Sequence, residues 1–347
     1  MKSTPSVAIL TPHARYYGGV EQANRMLMTM LGHAGYATQV VSQELLGGGP
    51  GLRVRRRLFG LNRILARHFN RNHAASADVV ICNGEFSLGV RHPAAINVFH
   101  GCYYGYAQGM RPCISKRAYE NLLRMADQQR RGAEGKYVVA VSRTVGQILG
   151  QQGLKVDAVI DNAVDPEHFR EAGADAVRGD RYLFVGSSDY LGKGFDVLEK
   201  LAALGVPIDC ITAAAPRNAQ LRWLGNIPNE DLPAYYQRYR VLLLPSRFEG
   251  SSLVVLEAMA CGMPVVTTAV GSGPDIALEI PEFVVDGPWA DIPEHMVGRL
   301  RAIEDRYSYF SAQARRYILQ HHGYEDWKNK WLAAVEEVRS RAASCSP

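Results

Sequence analysis

An α/β protein of two domains, each built around a parallel sheet, is what this sequence predicts, and three observations predict it. Short apolar runs alternate with segments of helical spacing along nearly the whole chain, the pattern of parallel strands joined by crossover helices. A length of 347 residues, at roughly 150 residues per domain, gives two domains large enough for their own cores. With 47% hydrophobic residues and 39 Lys+Arg against 34 Asp+Glu, a net charge of +5, the composition is globular and excludes a disordered or fibrous chain.

In chain order, strands are expected at Val7–Leu10, Thr38–Val41, Val79–Cys82, Ile96–Phe99, Tyr137–Val141 and Ala158–Ile160, then at Tyr182–Val185, Ile208–Thr212, Val241–Leu244, Val265–Thr268 and Phe283–Val285. Between the two sets, Asp165–Asp180 is polar, lacks a strong apolar period and reads as a linker. From Tyr307 to Arg341 the spacing is helical, with Trp327, Trp331 and Val335 on one face. Domains are expected at 1–165 and 166–323, followed by a helix at 324–347.

No run of about 18 apolar residues occurs, and Val7–Leu10 is too short for a signal peptide's hydrophobic region. The six cysteines (Cys82, Cys102, Cys113, Cys210, Cys261, Cys345) form no CxxC pair, so reduced thiols in a cytoplasmic protein are expected. His321 and His322 are adjacent and point apart on a helix, which reads as a solvated helix end rather than a zinc site.

Ligands of open α/β sheets sit beyond the carboxyl ends of the strands, so those loops are where chemistry is sought. After the first strand, Gly18 and Gly19 are either a tight turn or a place where backbone approaches a ligand; the segment is not GxGxxG, and a dinucleotide fold has little support. After the fourth, His100 precedes Gly101 and can hydrogen-bond a substrate hydroxyl or carbonyl, or serve structure alone. Gly186-Ser187 leads to Gly192-Lys193-Gly194, where Gly194 stands in place of the magnesium-holding Ser or Thr of a phosphate-binding loop, so an NTPase reading fails. A glycine-bracketed lysine still suits a phosphate or diphosphate. In Leu244–Val266, Glu249 lies just ahead of a helix starting near Ser252, and Glu257 follows within it. These carboxylates can bracket a ligand over the helix N-terminus, whose N–H groups at Ser251–Leu253 favour an anion. Burying Glu257 among Val254, Val255, Leu256 and Met259 requires a hydroxyl or cationic partner.

The segment PSRFEGSSLVVLEAMACGMPVV, with Glu249 and Glu257 separated by seven residues, resembles the signature of the retaining family 4 glycosyltransferases. The segments GGVEQANRMLMTMLGHAGY, VFHG, VVAVS, DNAVDPEHF, VGSSDYLGKGFDVL and LGNIPNEDLPAYYQRYRVLLLPS resemble that family in the same order, so the likeness covers nearly the whole chain. It implies the GT-B fold, two Rossmann-like domains with parallel sheets facing across a cleft, and retaining, metal-independent hexose transfer from a nucleotide-diphosphate-sugar such as a UDP-sugar to a hydroxyl acceptor. No cofactor or metal is implied. Glu257 would take the ribose hydroxyls, Glu249 the sugar hydroxyls and Lys193 the diphosphate, with Gly186, Ser187, Arg247, Gly250, Ser251, Ser252 and Leu253 around the donor. Gly18 and Gly19 would approach the phosphates or the sugar, and His100 the reacting centre. The chain departs from the family pattern at Ser187, where arginine is usual, at Gly250-Ser251-Ser252, which lacks the usual aromatic residue, and at Ala163, where glycine is usual. The alternatives are a nucleotide-sugar epimerase of the same fold and a catalytically silent nucleotide-sugar-binding scaffold.

Leu52–His73 carries seven arginines and no acid. Val54, Leu58, Leu61, Leu65 and Phe69 form a helical stripe beside Arg53, Arg55, Arg56, Arg57, Arg63 and Arg67, the pattern of a basic amphipathic helix on an anionic membrane surface. The competing reading packs the stripe on the sheet and leaves the arginines solvated. Peripheral attachment to the inner face of the cell membrane suits a glycan or lipid-linked acceptor. No nucleic-acid motif accompanies the charge, and nucleic acid is not an expected partner.

Overall fold

A computed structural model describes residues 4–14, 18–47, 56–57, 60–173 and 178–344. The chain divides into two compact units: unit 1 is Met1–Ala107, Ser115–Asp161 and Trp327–Pro347, and unit 2 is Gln108–Ile114 and Asn162–Asp326.

In unit 1, β1 (Ser6–Leu10), β2 (Ala37–Val41), β3 (Val79–Asn83), β4 (Ala95–Phe99), β5 (Tyr137–Ala140) and β6 (Ala158–Val159) form a parallel sheet in the order β2-β1-β3-β4-β5-β6. Every residue of β3 and β4 is buried, because a parallel sheet is covered on both faces and its central strands read as continuous apolar runs. Helix α1 (Gly19–His33) follows β1, and helix α2 (Leu61–Asn72) precedes β3.

Helix α2 follows the competing reading for its apolar stripe. Leu65, Ala66 and Phe69 pack with Ala8, Leu10, Val80 and Cys82, so the described part of the stripe closes the sheet's core and is not available to lipid. Burial of a Leu or Phe side chain stabilises by about 1.5–3 kcal/mol, and withdrawing either would leave a cavity as well. Arg56, Arg57, Arg63 and Arg67 are exposed; Arg53, Arg55, Val54 and Leu58 lie outside the described residues.

In unit 2, β7 (Tyr182–Val185), β8 (Ile208–Ile211), β9 (Arg222–Gly225), β10 (Leu242–Leu244), β11 (Val265–Thr268) and β12 (Val284–Val285) form a second parallel sheet, in the order β12-β11-β10-β7-β8-β9. The strand order reverses between β7 and β10, and the crossovers on either side diverge there, opening a crevice at the carboxyl ends of these two strands. Strand β9 carries no apolar run: Arg222 and Trp223 lie exposed on the sheet's edge, where no second face needs covering.

The solvated helix end expected at His321–His322 is half wrong. His321 pairs with Glu279 at 2.6 Å, but His322 is buried; its Nδ1 lies 2.8 Å from the Asn162 carbonyl and its own carbonyl accepts from Val164 N–H. The final helix, Tyr324–Ser344, buries Trp327, Trp331 and Val335 as their spacing predicts, and Tyr36 and Tyr137 of unit 1 donate their hydroxyls to Glu336 and Glu337. The five described cysteines are unpaired. Among the described residues no helix is long and apolar enough to cross a membrane.

Candidate functional site

The loops after β7 and β10 meet in the crevice of unit 2. Beyond β7, Gly186 and the exposed Ser187 lead into a turn in which Asp189 Oδ1 accepts Gly192 N–H at 3.1 Å and the Asp189 carbonyl accepts Lys193 N–H at 2.9 Å. This turn aims Lys193 at the loop after β10: its Nζ lies 2.6 Å from Glu249 Oε1, and Ser246 Oγ donates to the same oxygen at 2.6 Å. Gly194 makes the approach possible. It sits at φ +71°, and a Cβ there would fall 1.8 Å from the Pro245 carbonyl oxygen.

Arg247, expected beside the donor, is held by partners within unit 2. Its guanidinium is 3.8 Å above the Trp289 ring, donates to both Asp196 oxygens at 2.9 and 2.8 Å, and donates to the Leu191 carbonyl. Burial pushes the Asp196 carboxyl up, but hydrogen bonds from Arg247 and Trp289 outweigh it and hold the group below its ordinary value. The arginine is buried against unit 2 rather than offered to the crevice.

After Glu249, Gly250 and Ser251 are buried, and Ser252 caps the helix Leu253–Ala260 in extended conformation. The Ser251 carbonyl accepts from Asn162 Nδ2 at 3.0 Å, which fixes the loop whose following N–H groups open the helix. Within that helix Glu257 is 1% exposed. Its oxygens accept from Tyr236 OH and Asn229 Nδ2, each at 3.0 Å, so the hydroxyl partner that burial demands is present. Burial, reinforced by Glu257, drives the Tyr236 phenol pKa well up, keeping it a donor. Tyr236 and Asn229 are site residues the sequence did not reveal, since nothing in their spacing links them to Glu257.

In unit 1, His100 follows β4 and donates from Nε2 to Asn83 Oδ1 at 3.1 Å. Burial lowers its pKa to about 4, so the imidazole is neutral at pH 7. Gly18 precedes α1 in extended conformation and Gly19 is the first helical residue. Lys193, Ser246 and Glu249 thus form one contiguous group in unit 2, with Ser251–Leu253 at the start of the following helix and Glu257 within it, while His100, Gly18 and Gly19 belong to unit 1.

Residues 180–322 match the family described as glycosyl transferases group 1, a stretch that contains Lys193, Arg247, Glu249 and Glu257. Over 89 residues the chain is 40% identical to O-antigen chain mannosyltransferase B of Escherichia coli, a match covering 26% of this chain and 21% of that protein. The chain therefore spans about a fifth of that relative's length. Among solved structures, sucrose-phosphate synthase from Thermosynechococcus elongatus superposes with a TM-score of 0.79 at 17% identity, covering 97% of this chain and 99% of that one. Anabaena HepE in complex with UDP and glucose gives 0.69 at 16% identity, covering 96% and 100%. With two parallel six-stranded sheets, the chain has the GT-B fold of these glycosyltransferase structures.

Proposed function

We propose that this chain is a retaining glycosyltransferase that moves a hexose from a nucleotide-diphosphate-sugar to the hydroxyl of a lipid-linked or cell-surface glycan precursor. The observation that carries this reading is the Lys193–Ser246–Glu249 group at the switch point of unit 2, where an open α/β sheet takes its ligand. A UDP-sugar suits it: the Anabaena structure of the same fold was captured with UDP and glucose, and the Escherichia coli relative is named for mannose transfer to O-antigen.

Lys193 meets the diphosphate, and its ammonium together with the N–H groups at Ser251–Leu253 stabilises the negative charge that grows as the anomeric bond breaks. Glu249 accepts hydrogen bonds from the sugar. Glu257 receives the ribose hydroxyls beside the hydrogen bonds it accepts from Tyr236 and Asn229, since each carboxylate oxygen accepts more than once. His100, neutral and with its Nε2–H on Asn83, accepts at Nδ1 a hydrogen bond from a hydroxyl of the transferred sugar rather than taking its proton. The acceptor hydroxyl attacks from the face the diphosphate leaves and gives its proton to that leaving group, with no nucleophile from the protein and no metal required. A covalent sugar trapped on Glu249 during turnover would overturn this course.

A catalytically silent donor-binding scaffold is the second reading, favoured by Ser187, which presents no charge to a diphosphate. A nucleotide-sugar epimerase would be exposed by product analysis without acceptor. Attachment to an anionic inner membrane face rests on the exposed Arg56, Arg57, Arg63 and Arg67 alone, each contributing about 1 kcal/mol near such a surface. Vesicle binding indifferent to anionic lipid would remove it. The donor reading is tested by thermal shift against UDP, GDP, ADP and their sugar conjugates, repeated with Glu257→Ala. A rise with one nucleotide class that the variant loses supports the reading; no rise at millimolar ligand refutes it.

A further inference from the structure

We propose that Asp196, Arg247 and Trp289 form a clamp that positions Lys193 against Glu249, and that Arg247 serves the diphosphate only through this clamp. The inference rests on the donor-binding reading of the same crevice.

One residue, Arg247, holds Lys193 from both flanks. Before it, Arg247 Nη1 donates to the Leu191 carbonyl and Arg247 N–H donates to the Gly192 carbonyl at 2.9 Å. After it, the guanidinium grips Asp196 through both oxygens, on the first turn of the helix Phe195–Ala203. Arg247 is itself two residues before Glu249. The contact that pairs Lys193 with Glu249 is therefore bridged a second time, one layer deeper. Trp289 completes the clamp, with its ring under the guanidinium and its Nε1 donating to Asp196 Oδ2 at 2.9 Å. A planar fork locked on a carboxylate and stacked on an indole has a fixed geometry that lysine cannot reproduce.

Charge separates this role from direct binding. Asp196 neutralises Arg247 at hydrogen-bond distance, so the pair presents little net charge to an anion, whereas Lys193 at 21% side-chain exposure can exchange Glu249 for a phosphate oxygen. Replacing Asp196 by Asn therefore has opposite effects under the two roles. If Arg247 touched the diphosphate, Asp196→Asn would free its charge and tighten binding. If it is a clamp, the same change loosens Lys193 and weakens binding.

The experiment is calorimetric titration of the whole chain and of Asp196→Asn, Arg247→Lys and Trp289→Phe with UDP and UMP, and with the GDP/GMP and ADP/AMP pairs. The expected result is a fall of about tenfold or more in nucleoside diphosphate affinity for Asp196→Asn and Arg247→Lys, and a smaller fall for Trp289→Phe. Monophosphate affinity should change less than about twofold, because the ribose contacts at Glu257 are untouched. Unchanged or tighter diphosphate binding by Asp196→Asn overturns the clamp while leaving the donor reading intact. Equal losses for diphosphate and monophosphate, with a lowered melting temperature, would show a general folding defect and also overturn it. If the wild type binds none of the three pairs, the donor reading fails and the clamp with it.

Discussion

The carboxyl edges of the two sheets are built from different chemistry. In unit 2 the loops at the crevice hold opposed charges at contact distance, Lys193 on Glu249 and, buried behind that pair, Arg247 on Asp196. In unit 1 the corresponding edge has a neutral pair, His100 on Asn83, and beside it the half-buried Glu85 accepts from Tyr103 OH at 3.2 Å and Gln129 Nε2 at 3.3 Å while burial raises its pKa. An edge of paired charges is set for an anion, because a phosphate oxygen can replace a carboxylate on the same lysine without desolvating a bare charge. An edge of neutral donors and acceptors suits hydroxyl groups, which need hydrogen bonds and no counter-charge. The contrast fits the proposed transfer from a charged donor to a hydroxyl acceptor.

The largest expected effect comes from breaking the charged edge. Lys193→Ala should lower kcat by about 10²- to 10³-fold, the range for losing one preorganised stabiliser of transition-state charge. Because Lys193 is partly exposed, the folded state should lose little stability. Steady-state rates beside a melting curve check both halves; an unchanged kcat would place the diphosphate elsewhere.

The neutral edge has its own signature in acid. The His100 pKa is about 4 when folded against an ordinary 6.5, so the unfolded chain takes up the proton first as pH falls. Stability from this group is complete above about pH 6.5, declines as pH drops toward 4 and is level below, a total on the order of 3 kcal/mol. His100→Gln should flatten the wild-type decline in melting temperature across that window. Equal acid sensitivity in both proteins would mean that His100 titrates normally.

Between the edges in size lies Glu257→Gln. The amide keeps the shape but replaces one acceptor oxygen by an N–H₂ facing Tyr236 OH or Asn229 Nδ2, which breaks one of the two hydrogen bonds as donated at a cost of about 1–3 kcal/mol. Denaturant titration should show that loss together with weakened nucleotide binding.

How much of this was legible in the sequence follows from where each residue is covered. The strands with buried faces announce themselves as apolar runs, and the burial of Glu257 was readable from the Val, Leu and Met around it in a short helix. Strand β9 was invisible because Arg222 and Trp223 face solvent at an edge. The clamp was invisible for another reason: Asp196, Arg247 and Trp289 come from three separate loops or helix starts, and their convergence exists only once β7 and β10 lie side by side. Similarly, the Leu61–Asn72 part of the arginine segment is helical as its spacing predicts, but periodicity alone does not say whether an apolar stripe meets lipid or a sheet, and here Leu65 and Phe69 meet Leu10 and Val80.

The smallest effect tests whether the neutral edge extends inward. Asn97 on β4 is fully buried, and neither its Oδ1 nor its Nδ2 has a partner among the described residues; Asn83 Nδ2 is likewise unpartnered. A buried amide without hydrogen bonds carries a desolvation penalty of about 1–3 kcal/mol, and an apolar residue of similar volume removes it. Asn97 lies level with Cys82 and Val138 on the neighbouring strands, in apolar surroundings that accept a leucine. Asn97→Leu should therefore stabilise by about 1 kcal/mol, raising the melting temperature by roughly 2–4 °C, and should leave nucleotide binding in unit 2 untouched. Destabilisation instead would show that an ordered water satisfies the amide. In that case the polar character of the unit 1 edge reaches a full strand position deeper than His100 and Asn83, and the two edges differ in depth as well as in charge.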